Sequence, residues 1–196
     1  MTVCCLCARS SVMANAFVTL LETASMRNWC MKPFCTTCGS TDYREAVADL
    51  ADRDSGAFLA ESMAAVRIET LTAFPNWAGA VTLAWRELRS EHQGDRVLSA
   101  WLPSLDHHPG LADVVLFYIL RQGSLFARVS HPVWRLWLDE SMRVAIATGN
   151  GSLLETLSYT MGKELDEHAE LRARAEEVAQ SYPKLRRALD RARAPA

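Results

Sequence analysis

All six cysteines of this 196-residue chain, Cys4, Cys5, Cys7, Cys30, Cys35 and Cys38, fall in its first fifth. Cysteine thiolates are the usual protein ligands for zinc and for iron–sulfur clusters, and a Cys-x2-Cys pair bites a single ion well. Two such pairs are present, Cys4 with Cys7 and Cys35 with Cys38. Together they supply the four ligands of a tetrahedral structural zinc site. Gly39 follows the second pair, and a glycine there lets backbone N–H groups bend towards sulfur. A helix is expected to start just beyond it, and the positive end of a helix favours thiolate.

The spacing is not that of the simple zinc pattern. Between Cys7 and Cys35 lie 27 residues, against about 15–20 in the usual arrangement. Cys30 adds a second reading, because Cys30, Cys35 and Cys38 spell the C-x4-C-x2-C of plant-type ferredoxins. That pattern needs a fourth cysteine downstream, and no cysteine follows Cys38. An iron–sulfur cluster would have to recruit an N-terminal cysteine instead, so zinc is the favoured metal.

Chain geometry selects among the six. The stretch 12–27 places Met13, Phe17, Leu20, Leu21 and Ala24 at helical spacing. A helix of that length is roughly 24 Å long. About a dozen connecting residues are available to bring Cys35 beside Cys7, which is ample at roughly 3.3 Å per residue. About eight are available for Cys30, giving roughly 26 Å at full extension and almost no slack. An intact helix therefore favours Cys4, Cys7, Cys35 and Cys38, with Cys5 and Cys30 as spares. Met13 is an alternative start; from there only Cys30, Cys35 and Cys38 remain, and the fourth ligand must come from elsewhere, for example a histidine. In general chemistry the loop is similar to a zinc knuckle, over about ten residues.

Other groups carry weaker signals. His107 and His108 are adjacent, point in different directions on most backbones, and sit in a Pro-Gly loop. His131 is expected at a helix start and His168 on a charged helix face. No Gly-rich phosphate loop, G-x-S-x-G elbow or H-E-x-x-H is present. Trp29, beside Cys30, is a candidate to pack over the metal or stack on a partner. The C-terminal "PKLRRALDRAR" sets Leu185, Ala188, Leu189 and Ala192 on one face and arginines on the other. Arg186 and Arg187 are its candidates for contacting phosphate or an acidic partner.

Composition bounds the rest. The chain is 49% hydrophobic, which suffices for a core, and its net charge of −2 gives no global pull towards nucleic acid or membrane. Basic residues concentrate at both ends. The apolar run "VVLFYIL" at 114–120 is too short to span a bilayer. No secretory signal pattern opens the sequence, so a cytoplasmic protein with reduced thiols is expected.

Helical periodicity recurs at 42–52 with Thr41 or Asp42 as cap, at 57–73, after Pro75, at 97–102, at 111–121, after Pro132, and from an S-x-x-E capping box at Ser152 and Glu155. "EHQGD" at 91–95 reads as a break. No strand alternation is found. The expectation is an all-α, multi-helix globular bundle with an N-terminal cysteine-rich, zinc-knuckle-like loop. Residues 1–41 form its metal-binding segment and 42–196 its helical domain. The matching function is a non-enzymatic, zinc-stabilised binding protein, a subunit or adaptor for a protein or nucleic acid. The alternative is an iron–sulfur or thiol-based redox sensor using the same cysteines.

Overall fold

The computed structural model describes residues 16–23, 40–120 and 128–194. These are helical, with no strand among them. Helix α1 covers residues 16–23. It is followed by α2 (Ser40–Asp52), a 3₁₀ turn (Arg53–Gly56), α3 (Ala57–Ala65), α4 (Ile68–Thr72), α5 (Trp77–Arg86) and α6 (Glu91–Trp101). Then come α7 (Pro109–Asp113), a π-helical segment (Val114–Leu120), α8 (His131–Thr148), α9 (Gly151–Met161), α10 (Ala169–Val178) and α11 (Pro183–Arg193). The described residues group into two compact units, one of 16–23, 40–103 and 128–133, the other of 104–120 and 134–194.

In the first unit the core is built from Phe17 and Leu21 of α1, Tyr43 and Val47 of α2, Leu59 and Met63 of α3, and Val81 and Trp85 of α5, all essentially buried. Burying each large apolar side chain stabilises the fold by about 1.5–3 kcal/mol. Two aromatic polar tips find partners, as burial requires. The Tyr43 hydroxyl donates to the Ala80 carbonyl at 3.1 Å, and the Trp101 indole N–H to the Met63 carbonyl at 3.0 Å. Burial also pushes the Tyr43 phenol well above its ordinary range.

The expected 57–73 helix is two helices. Val66 adopts an extended backbone, and so does Arg67. The bend buries both Val66 and Ile68, which one straight helix would separate by two positions around its circumference. "EHQGD" is not a break but the first turns of α6. The Ser90 hydroxyl caps that helix by accepting from the Gln93 N–H at 3.3 Å. Gly94 is there because a Cβ would stand 1.6 Å from the Arg128 carbonyl oxygen. Beside it, Asp95 accepts from the Ser130 N–H at 2.8 Å, so one turn of α6 fastens the segment 128–130. Thr41 and Asp42 lie inside α2, which already includes Ser40.

In the second unit the apolar stretch after Asp113 winds as a π-helix, with Val114, Val115, Leu116 and Ile119 buried. Helix α11 lies against α9 through Leu185, Ala188 and Leu189. Gly149, in the left-handed region at φ 60, ends α8, and Asn150 then caps α9.

Candidate functional site

The six cysteines and Trp29 lie outside the described residues. What the structure places is their immediate flank. Helix α2 begins at Ser40, two residues after Cys38, and sends Tyr43, Val47, Leu50 and Ala51 into the core of the first unit. The helix expected around residues 12–27 is helical over its described part, 16–23, with Phe17, Leu20 and Leu21 buried. Both described flanks of the Cys30–Cys38 segment thus belong to the first unit. Among the described residues no group of three or more His, Cys, Asp or Glu side chains could hold a metal ion. No helix of the described residues is long and apolar enough to cross a membrane.

The histidines stand apart in role. His107 is exposed in a turn, His108 precedes α7, and His131 is exposed at the start of α8. His168 is not on a helix face. It joins a 3₁₀ turn to α10 and borders a shallow depression of about 210 Å³ with Met142, Ile146 and Leu171. Small-molecule sites usually offer about 300–1,000 Å³, so this depression is too small for most of them.

The basic C-terminal helix is divided by its own packing. Arg186 is not a free cation: it pairs with Glu176 at 2.8 Å. The same carboxylate takes Arg193 at 2.9 Å and Arg172 at 3.0 Å, and the Arg172 side chain is only 12% exposed. Three guanidinium groups from α10 and α11 therefore converge on one glutamate. Arg187 is exposed on the opposite side from Leu185, Ala188 and Leu189. Arg191 donates to the Tyr159 hydroxyl at 3.1 Å and lies over its ring, 5.6 Å from the centroid.

One polar constellation escaped the sequence reading. Asp113, the last residue of α7, accepts from the Thr156 hydroxyl at 2.8 Å and the Ser152 hydroxyl at 3.0 Å, both on α9. Ser152 is therefore not the cap of α9. That role belongs to Asn150, whose side-chain oxygen accepts from the N–H groups of Ser152 at 3.1 Å and Leu153 at 3.3 Å. Burial pushes the Asp113 carboxyl above its ordinary value, the Thr156 and Ser152 hydrogen bonds oppose the rise, and the nearby Glu155 charge adds to it. Burial and Glu155 likewise raise the Tyr182 phenol. Asp113 sits 39 and 43 residues from its partners, and no local motif signals such a pairing. The arrangement ties a short helix to a long one. It brings no nucleophile–base–orienter series together.

No protein-family model, no curated protein and no solved structure matches this chain.

Proposed function

We propose that the protein is a non-enzymatic, zinc-stabilised helical binding protein, acting as a subunit or adaptor in the reducing cytoplasm. The observation that carries the reading is the pair of Cys-x2-Cys motifs, Cys4 with Cys7 and Cys35 with Cys38. Support comes from their flanks. Because α1 and α2 both bury apolar side chains in the first unit, an ion held by these cysteines ties the N-terminal segment to a core that already exists. Zinc then contributes folding free energy rather than chemistry. Candidate contacts for the macromolecular partner, protein or nucleic acid, are Trp29 and, in the second unit, the exposed basic side of α11, where Lys184 and Arg187 stand clear of the core. Arg187 carries more of that contact than Arg186, whose guanidinium is held by Glu176.

Metal analysis of protein purified without air, started from Met1 and separately from Met13, tests the reading. One zinc in the longer form only supports Cys4, Cys7, Cys35 and Cys38 as the ligand set. One zinc in both forms assigns the site to Cys30, Cys35, Cys38 and a further ligand. Iron with visible colour replaces the reading with the redox-sensor alternative, whose motif is C-x4-C-x2-C. No metal in either form overturns the zinc and iron–sulfur readings and leaves the thiol-based sensor. Partner class is read from salt dependence: binding that falls steeply with salt and with Arg187→Gln indicates nucleic acid, and salt-insensitive binding a protein.

A further inference from the structure

Asn150–Gly151 is the one Asn-Gly dipeptide in the sequence, and the fold holds it on three sides. The Gly149 backbone, at φ 60, is so close to Arg174 that a Cβ would stand 2.6 Å from its guanidinium. The Asn150 carboxamide is engaged by the N–H groups of Ser152 and Leu153. Gly151 lies against the Tyr182 ring, and a Cβ there would sit 3.0 Å from it. A side chain at 151 would crowd the Tyr182 ring, and glycine after asparagine is the residue that least hinders ring closure between the two.

We propose that Asn150 is a fold-gated modification site, converting to aspartate or isoaspartate by succinimide chemistry when the start of α9 opens. The backbone nitrogen of Gly151 attacks Cγ of Asn150. A new N–Cγ bond forms, the Cγ–Nδ2 bond breaks, and Nδ2 leaves as ammonia with the amide proton. Water then opens one of the two imide carbonyls, giving aspartate or isoaspartate. No oxidant, metal or enzyme is needed. Attack requires the Gly151 nitrogen to turn towards Cγ, hence a large rotation of the Asn150 ψ away from its capping value of 106. In the folded protein that rotation costs both cap hydrogen bonds and drives the Gly151 backbone against Tyr182. Local opening removes both obstacles. Isoaspartate inserts a methylene into the main chain at the cap, which displaces Ser152 and Thr156 from Asp113. The conversion therefore records opening and then makes reclosing harder.

Full-length protein is incubated at neutral pH, folded and in guanidinium chloride, and the peptide spanning residue 150 is followed by mass spectrometry with isoaspartate detection. Conversion in the folded protein is expected to be at least about tenfold slower than in denaturant. Tyr182→Ala, checked for retained helicity, is expected to fall between the two. Asn150→Ser, which keeps a cap but lacks the amide, is expected to show no conversion. Equal rates in folded and unfolded protein, or no conversion in denaturant, overturn the proposal. A Tyr182→Ala rate equal to the parent removes the ring from the gate.

Discussion

Gly94 has less room for a side chain than Gly56, Gly149 or Gly151. A methyl group there collides with a main-chain carbonyl rather than with the end of a flexible side chain, so neither α6 nor residue 128 can yield cheaply. Gly94→Ala is expected to destabilise the first unit by about 1–3 kcal/mol, despite the gain in helix propensity. The urea midpoint measures it, and an unchanged or raised midpoint would refute the close approach. Asp113 makes a prediction of a different kind. Burial makes its ionised form costlier in the folded than in the unfolded chain, so in the window above its ordinary value of 3.8 the folded state holds more protons. Stability is thus expected to decline as pH rises from below that value through the raised folded pKa. Asp113→Asn keeps an acceptor and a donor for Thr156 and Ser152 without the charge. Its advantage over the parent is expected to be larger at neutral pH than in acid. A difference in denaturation midpoint that does not change with pH would contradict this.

At the scale of elements, the junction of α10 and α11 is decided by one carboxylate. Glu176→Gln leaves three arginines without their common counter-charge; Arg172, only 12% exposed, keeps Asp166 at 3.6 Å as its remaining carboxylate. The expected loss is about 1–3 kcal/mol, less than for a fully buried pair because Arg186 and Arg193 can rehydrate. Arg187→Gln, on the exposed side of the same helix, is expected to stay within about 0.5 kcal/mol. Hydrogen exchange along α11 separates the two, since Glu176→Gln should lower protection there and Arg187→Gln should not. Equal effects would mean that the hydrophobic face alone docks the helix. Sequence periodicity identified that face: Leu185, Ala188 and Leu189 were expected on one side and are buried. It did not reveal that Arg186 is spent on Glu176, ten residues earlier and across a turn at Pro183. A pattern of charges along one helix carries no record of the charges on its neighbour.

For the whole molecule, the two units give metal removal a definite signature. Helices α1 and α2 precede and follow Cys30, Cys35 and Cys38 in the sequence and belong to the first unit, whereas α9, α10 and α11 belong to the second. If the proposed zinc ties the cysteine-bearing segments to the first core, a strong chelator is expected to lower hydrogen-exchange protection in α1 and α2. Protection in α9–α11 should be left as it was. Uniform loss across both units would point to one cooperative body, and no loss anywhere would remove the metal from the stability of the fold.

The sequence by itself determined the all-helical class, because apolar residues recur at helical spacing and no strand alternation competes with it. It also determined the positions of most described helices and the clustering of all six cysteines before residue 39. Tertiary structure decided the rest. The serine of an apparent capping box became a ligand of Asp113 once α7 lay beside α9, and Asn150 took the cap. A glycine that looked like a breaker became the contact between α6 and residue 128. The run at 114–120, apolar all round, offers no face from which a winding angle can be read, and it winds as a π-helix. Each of these outcomes depends on a partner 34 or more residues away or on a buried surroundings, and local propensity is silent on both.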